Sequence, residues 1–408
     1  MKPHISRRSF VAGAVAVPAV AFLGSRFGPL SGQSAAAGGE VGGAVLTAAD
    51  LNMPPGTPYP LVSLPGKGAL GQLYDRPPNY EVPAEKLIGQ KNYPYTDNEY
   101  YYVRYREANV LELTPENYSL KVGGESAAQE VSFSLDDLIE RASLTLGAVG
   151  SCTGEGVGLH QPMLAAMPWT KGDVSCAEWT GVPIKDLLEE AGFNKETAKF
   201  VSFGGGRVIS LKKPQYWRAY PIETMLAGHA MLAVKMNGED IPFWNGYPVR
   251  LVVPGSYSPT WTKQVVEMQV GPTPHPMEWS GRKVTPNSLK LFSLISTPTD
   301  GTKIPRGRKV ELTGVAYDKG VGITKVEISQ DEGATWAPGT LEKSYGKYTW
   351  RVWHATVGFD ATGEQRVLSR ATNAEGDVQE MEVSAEVQEN AGRKETSSRH
   401  FAAVFEVV

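Results

Sequence analysis

Short β-rich segments separated by turn residues fill the chain from about residue 285 to its end. Strands spaced this closely are typical of a β-sandwich. The sequence therefore predicts an all-β, immunoglobulin-like domain over 285–408. The segments that carry this prediction are 309–312, 325–329, 347–353, 365–371 and 402–408, with turn signals at 331–333 and 373–377.

The region before residue 285 mixes the two kinds of periodicity. Strand-like runs at 99–104, 118–122, 250–255 and 265–270 accompany helical spacing at 134–139 and 184–192. Ser134 is a suitable N-cap for the first helix, and Gly192 a suitable end for the second. We therefore predict an α+β domain over 95–284. Residues 38–94 are rich in Gly and Pro and are expected to form an extended arm that does not fold alone.

The first residues have the features of a targeting segment. Arg7 and Arg8 precede an apolar run over 12–24 and then small residues up to Ala37. The run is too short to span a bilayer comfortably, and paired arginines are the address of the twin-arginine translocase. A plain secretory signal or an uncleaved anchor is the alternative. We predict a signal peptide over 1–37, a periplasmic location, no membrane span after cleavage, and a cofactor inserted before export.

The charge pattern argues against a nucleic-acid partner. The formal net charge is −4. Lys and Arg residues form no stripe with interleaved aromatics, so no basic field would attract a phosphate backbone.

Two cysteines, Cys152 and Cys176, allow two interpretations. In an exported protein they could form a disulfide. However, Cys152 lies in the Gly-rich stretch 149–156, where the backbone can approach a bulky ligand closely. A soft thiolate sulfur is a suitable ligand for a redox metal. A disulfide and a metal site therefore both remain open at this point.

The surroundings of Cys152 resemble a known family. Ser151-Cys152-Thr153-Gly154, Trp169 and 172–188 are similar to the core of the sulfite oxidase family, including bacterial sulfite dehydrogenases and sulfane dehydrogenase-like molybdenum subunits. The resemblance implies a molybdenum–molybdopterin cofactor with Cys152 as the metal's single protein ligand. It implies for Cys176 only the role of a buried small residue.

Two further segments resemble cofactor-binding parts of the same family. Tyr101-Tyr102-Val103-Arg104 is similar to a segment beside the metal, which implies a cofactor contact for Tyr102. It also implies for Arg104 both cofactor binding and the catalytic task of orienting an anion. The blocks 236–242 and 246–255 are similar to the family's most recognisable region.

Four residues in or near these blocks take cofactor-binding roles through the resemblance. Arg250 is expected to bind the pterin, while Thr262 and Lys263 lie at the place where a cation balances the cofactor's phosphate. Asn245 stands where many relatives carry a cofactor-contacting His, which preserves hydrogen bonding but removes a titratable group.

The last third of the chain resembles the family's dimerisation domain, which implies a homodimer. No b-type heme domain and no Cys-x-x-Cys-His heme motif are recognisable in the sequence. Electrons are therefore expected to leave to a separate acceptor, a c-type cytochrome.

The sequence departs from the family pattern where relatives bind substrate. His160 is the only basic residue shortly after Cys152, and Val284 stands at the place of a pocket tyrosine. His160, Lys319 and Arg106 are the candidate replacements for the missing pocket residues.

Three functions remain open. The resemblance implies oxygen-atom transfer to or from sulfite or a related sulfur compound. A family member that acts on a less charged substrate, such as a sulfane or sulfoxide, is the first alternative. The second is a non-catalytic secreted binding protein with Cys152 and Cys176 in a disulfide.

Overall fold

A computed structural model describes residues 44–106, 110, 112–154, 156–159, 167–205, 216–275, 288–381 and 401–408. The predicted signal peptide, His160 and Val284 lie outside the described residues. Within the described residues, no helix combines the length and the apolar character needed to cross a membrane.

Strands dominate the described part of the chain, with three short α-helices between them. Up to residue 275 the elements, in chain order, are β1 Leu61–Ser63, β2 Ala69–Tyr74, β3 Asn79–Glu81, β4 Val103–Arg104, β5 Leu120–Gly123, β6 Val131–Phe133, α1 Leu135–Glu140, β7 Leu144–Ser151, β8 Val174–Pro183, α2 Ile184–Glu190, β9 Phe200–Gly205, β10 Tyr216–Pro221, α3 Ile222–Leu226, β11 Met231–Met236, β12 Glu239–Asp240, β13 Arg250–Val252 and β14 Val265–Gly271. After residue 288 they are β15 Phe292–Thr297, β16 Lys303–Ile304, β17 Lys309–Tyr317, β18 Ile323–Ser329, β19 Ala337–Pro338, β20 Thr340–Leu341, β21 Arg351–Gly358, β22 Gly363–Asn373 and β23 Ala403–Val407.

The helix starts follow from local chemistry. Before α1, the Ser134 hydroxyl accepts a hydrogen bond from the Asp137 amide at 3.1 Å, and the Asp137 carboxylate accepts from the Ser134 amide at 2.8 Å. This capping box satisfies two amides that a helix start otherwise leaves unpaired. Leu135 and Leu138 are buried, so the helix packs its apolar face on the core. The predicted N-cap is confirmed.

Three sheets build the first region. The first has the order β1-β2-β3-β4, the second β10-β9-β14-β5-β6, and the third β12-β11-β8-β7 with β13 paired to β11. Most of the neighbouring strands are antiparallel, while β14 and β5 are parallel. The molybdenum-ligand candidate Cys152 directly follows β7, which pairs with β8 along its whole length.

The second region consists of two facing sheets, in agreement with the predicted all-β fold. Their orders are β15-β17-β21-β20 and β16-β23-β22-β18-β19. Leu312 and Trp353 of the first sheet pack with Val326, Val367 and Phe405 of the second in one buried cluster. The fold is therefore a strand-rich α+β region followed by an all-β region.

The two regions share a core rather than meeting through a linker. Trp350 and Phe401 of the second region belong to the same buried cluster as Trp179 of the first. The Trp350 indole N–H donates to the Pro94 carbonyl at 2.8 Å. Residues 43–408 accordingly form one compact unit.

Two segments differ from the sequence expectation. In the run 99–104 only β4 is a strand, because a turn precedes it in which the Tyr100 and Tyr101 amides donate to the Asp97 carbonyl. The predicted arm contains β1, β2 and β3, which pair with one another and, through β3, with β4. Short strands paired over long sequence distances leave little periodicity to detect.

Candidate cofactor site

Cys152 lies at the end of β7, where its amide donates to the Asp173 carbonyl at 3.0 Å. Its side chain is 4% exposed and its thiol is free. A Cβ at Gly150 would collide with the Tyr101 hydroxyl, so only glycine admits this close approach. The thiol is therefore held on a strand end that has little freedom to move.

Tyr102 lies beside Cys152 and stays protonated at neutral pH. Burial, and next the negative charges that Tyr101 and Cys152 can carry, raise the pKa of the Tyr102 phenol well above its ordinary value. Its hydroxyl forms a hydrogen bond with Ser258, whose hydroxyl donates to the Ser151 carbonyl at 3.1 Å. Trp169 stands edge-on to the Tyr102 ring at 6.2 Å between centroids. Tyr102 and Trp169 thus supply neutral hydrogen-bonding and aromatic groups near the thiol, and the acidic residue Asp173 is buried next to the Cys152 backbone.

The two cysteines are too far apart for a disulfide. Val149 of β7 lies opposite Cys176 of β8, and Cys152 follows three residues beyond Val149. Three residues of strand span roughly 10 Å. A disulfide requires Cα atoms within about 7 Å of each other. Both cysteines are free in the structure, which removes the basis of the disulfide interpretation.

Cys176 should be chemically inert in the folded protein. Its side chain is fully buried, and burial raises the pKa of the thiol to about 12. At pH 8 only about one such thiol in ten thousand is ionised, and the thiolate is the reactive form. We expect iodoacetamide at pH 8 to leave Cys176 unmodified for hours and to modify it within minutes once the protein is unfolded, as measured by peptide mass spectrometry. Equally fast labelling of the folded protein would contradict this placement.

Four basic side chains from separate segments lie close to one another. We call Lys67, Arg104, Arg250 and Lys263 the cation cluster. Burial, and next the charges of Arg250, Lys67 and Arg104, hold the pKa of Lys263 well below its ordinary value. Arg250 and Lys263 lie opposite each other in an isolated antiparallel bridge. Lys263 donates from Nζ to the Arg104 carbonyl at 3.0 Å and to the Trp244 carbonyl at 2.7 Å.

Asn245 connects the cation cluster to the Tyr102 segment. Its side chain is fully buried, and its Nδ2 donates to the Tyr102 carbonyl at 3.0 Å. Its Oδ1 accepts from Lys67 Nζ at 2.6 Å. The Asn245 carbonyl accepts from Arg250 Nη1 at 3.0 Å. One residue thereby positions two members of the cluster relative to the segment that contains Tyr102.

Aromatic rings and a left-handed glycine shape the rest of the site. The Arg250 guanidinium lies 5.3 Å from the Trp179 ring centroid and 5.6 Å from that of Trp261. Gly246 has φ +111° and packs against the Lys263 side chain. Any other residue there would be strained in this backbone conformation and would push Lys263 away.

The cation cluster has an excess of buried positive charge. In the described part of the chain, its hydrogen bonds go to carbonyl and amide oxygens, and none of its members forms an ion pair. Glu99 is the carboxylate that attracts Lys67, but only at a distance. Buried charges are costly unless they are paired, so this cluster is suited to an anionic ligand.

Unused donors support the same conclusion. Arg104 Nε, Arg250 Nε and Thr262 Oγ1 are buried without a hydrogen-bond partner among the described residues. Native proteins rarely leave such groups unsatisfied except at functional sites. A thiol for a metal, together with neighbouring cations and spare donors for a phosphate, fits molybdopterin.

The structure also places the residues proposed from the sequence. Arg104, Arg250 and Lys263 belong to the cation cluster, and Asn245 is hydrogen-bonded to it. Tyr102 is hydrogen-bonded to Asn245 and lies near Cys152. Thr262 precedes Lys263 in the chain. Lys319 instead lies within 3.8 Å of Glu375 on the surface of the second region. Arg106 is half-buried, next to residues outside the described ranges.

Two residues of the site were missed by sequence reasoning. Lys67 comes from the predicted arm, and Ser258 from a short 3-10 turn. The sequence around Lys67 reads Pro65-Gly66-Lys67-Gly68, which is typical of an exposed turn. Nothing in this local pattern indicates a buried lysine.

Comparison with known proteins agrees with the geometry. Residues 107–279 match the family model described as oxidoreductase molybdopterin binding domain. Residues 283–390 match the model described as Mo-co oxidoreductase dimerisation domain. Cys152, Asn245, Arg250, Thr262 and Lys263 lie within the first match. Arg104 and Lys67 precede it.

Several similar proteins of known identity are sulfite oxidases. Mitochondrial sulfite oxidase of Rattus norvegicus is 29% identical over 328 residues, which are 72% of this chain and 58% of the relative. Sulfite oxidase of Gallus gallus is 28% identical over 74% of this chain and 71% of its own length. The chain thus spans less than two thirds of the rat protein.

The fold is also that of a solved structure. The sulfane dehydrogenase SoxCD from Paracoccus pantotrophus superposes with a TM-score of 0.67 at 23% identity, over 81% of this chain and 87% of that chain. The two consecutive family matches and the sulfite oxidase relatives show that this chain belongs to the sulfite oxidase family of molybdopterin oxidoreductases.

Proposed function

We propose that this protein is an oxidoreductase that transfers an oxygen atom to or from a small sulfur compound at a molybdopterin cofactor. The observation that carries the proposal is the buried cation cluster, which is linked through Asn245 and Tyr102 to the thiol of Cys152. When bound, the cofactor supplies the two-electron redox chemistry and the exchange of the oxygen atom.

The residues of the site have distinct tasks in this proposal. Cys152 binds the metal as a thiolate, and its short link to β7 fixes the position of the sulfur. Arg250, Lys263 and Thr262 bind the phosphate end with their charges and their spare donors. Asn245 orients Arg250 through its carbonyl oxygen.

Tyr102 and Arg104 would face the reacting end. The raised pKa of Tyr102 keeps the proton on its phenol oxygen, so the group acts as a hydrogen-bond donor or acceptor and not as a base. Arg104 Nη1 donates to the Tyr105 carbonyl at 2.8 Å, while its Nε has no partner among the described residues. Arg104 is therefore the candidate for orienting an anionic substrate.

The substrate class follows from the polarity around the thiol. Near Cys152, Tyr102 and Trp169 are neutral, Asp173 is a buried acidic residue, and Arg104 is the candidate cation. This wall suits a sulfur compound with little charge, such as a sulfane or a sulfoxide, better than sulfite. We retain sulfite as the second candidate because the rat and chicken relatives of this chain are sulfite oxidases.

Export and electron transfer complete the proposal. Arg7 and Arg8 before the apolar run support export by the twin-arginine route to the periplasm. A c-type cytochrome is proposed as the electron partner.

Metal analysis followed by a substrate panel tests the function. We expect purified protein to contain about one molybdenum and one pterin per chain, and to reduce cytochrome c with a sulfur substrate. Absence of both molybdenum and pterin from protein made in a host that synthesises the cofactor would overturn the proposal.

The second region is proposed to pair two copies of the chain. Residues 283–390 match a dimerisation domain, and twofold pairing is the commonest symmetric assembly. One chain has a mass of 44.1 kDa before any signal peptide is removed. We expect light scattering at micromolar concentration to give twice the mass of the mature chain. A monomer with full molybdenum content would contradict the dimer without affecting the proposed chemistry.

A further inference from the structure

Lys67 occupies an unusual place for a lysine in a turn. It follows Gly66, which has φ +72°, and its amide donates to the Leu64 carbonyl at 2.9 Å. The turn between β1 and β2 directs the side chain inward, where only 7% of the residue is exposed. Lys67 lies outside both family matches. Neither match therefore includes its contribution to the site.

The hydrogen bonds of Lys67 leave part of its capacity unused. Nζ donates to the Asn98 carbonyl and to Asn245 Oδ1, both at 2.6 Å. An ammonium group has three protons, so these two described acceptors account for two of them. One donor remains beside the same Asn245 that binds Arg250.

The described contacts of Lys67 do not require a charged group. Both of its acceptors are neutral oxygens, which a neutral amide could satisfy equally well. Burial, and next the neighbouring Arg250 charge, lower the pKa of Lys67 well below its ordinary value, which Glu99 opposes only in part. A cation in such a position becomes favourable when an anion is bound next to it.

We propose that Lys67 is an additional cofactor-binding residue, whose ammonium group contributes positive charge to the site of the molybdopterin phosphate. The inference rests on the proposed function. Lys67 and Asn245 act together in this inference: the Asn245 amide holds the Lys67 ammonium group in place, and the ammonium group carries the charge.

Three lysine variants in the full-length protein test the inference. Lys67→Gln retains a hydrogen-bonding group and removes the charge, whereas Lys67→Arg retains the charge. Lys91→Gln is the matched control, because this lysine of the same segment is 72% exposed and pairs with Glu239 on the surface. The readouts are pterin bound per chain after dilution and gel filtration, and the rate at which pterin is lost from the folded protein.

We expect Lys67→Gln to lose pterin about tenfold to a hundredfold faster than the unchanged protein, which is the range for one charge-assisted hydrogen bond. Lys67→Arg should stay within about threefold of the unchanged protein, and Lys91→Gln should be indistinguishable from it. Pterin retention by Lys67→Gln at the level of Lys91→Gln would overturn the inference. So would equal losses in the Gln and Arg variants, because a purely structural role depends on shape and not on charge.

A second measurement keeps the test decisive if Lys67→Gln assembles without cofactor. In cofactor-free protein, inorganic phosphate should raise the melting temperature of the unchanged chain by several degrees and that of Lys67→Gln by less than half as much. An equal rise in both would overturn the inference. If the unchanged chain carries no pterin at all, the proposed function fails instead, so the two failures are distinguishable.

Discussion

Cys152→Ser should abolish turnover and remove the molybdenum–sulfur signal of the protein thiolate, while the cofactor-free fold survives. Serine has nearly the size of cysteine, and the amide bond from residue 152 to the Asp173 carbonyl does not depend on the side chain. A hydroxyl, however, is a harder and far less acidic ligand than a thiol. Loss of a residue that only supports a metal ligand lowers metal affinity or activity about 10- to 100-fold. Loss of the ligand itself should therefore lower activity by more than about a hundredfold.

The measurement is steady-state turnover per molybdenum, with X-ray absorption at the metal and a melting curve of the cofactor-free protein. Cys176→Ser is the control, because Cys176 is fully buried on β8 and lies away from the thiol loop. It should retain activity per molybdenum and lose about 1–3 kcal/mol of stability through a buried, poorly paired hydroxyl. Equal destabilisation by both variants in a protein without turnover, with a disulfide seen by mass spectrometry, would favour the secreted binding protein instead.

Sulfite should be oxidised weakly, if at all, by fully loaded protein. Tight binding of a small dianion needs several convergent charge-assisted hydrogen bonds. Near the thiol, Tyr102 and Trp169 are neutral, Asp173 is acidic and Arg104 is the candidate cation. Lys319 lies 3.8 Å from Glu375, which offsets its charge. Each missing charged partner costs on the order of 1.5–3 kcal/mol, so two losses weaken binding by roughly two to four powers of ten.

The test compares sulfite with cytochrome c as acceptor against an uncharged sulfoxide with a reduced dye as donor. Arg104→Gln serves as the paired variant, because it should weaken the binding of an anionic substrate more than that of an uncharged one. Efficient sulfite oxidation with saturation in the micromolar range would contradict the prediction. It would mean that Arg106 or His160 completes the pocket.

Part of the fold was predictable because its signals are local. The capping box at Ser134, the end of α2 near Gly192 and the strand at 265–271 depend on residues within a few positions of one another. The arm was not predictable in the same way. Its strands β1 to β3 are short, and β3 pairs with β4 more than twenty residues later. Such pairing leaves no periodic trace in the sequence.

The residues of the candidate site were also predictable only in part. Cys152 could be singled out from the sequence alone, because a thiol in a Gly-rich turn and its matching neighbours stand in one continuous stretch. The family resemblance added Arg104, Arg250 and Lys263 one at a time. Only the tertiary structure showed that these cations share one buried site with unused donors and without a contacting carboxylate among the described residues.

By itself, then, the sequence determined the chemical types: a thiol after a buried strand, basic residues in recognisable blocks, and two successive regions of different periodicity. The tertiary structure decided which of these groups act together. Lys67 and Asn245 are 178 residues apart in the chain, yet their side chains are 2.6 Å apart in the structure. The pairing of β strands brings them together, and burial then converts an ordinary surface residue type into a charged group suited to binding an anion.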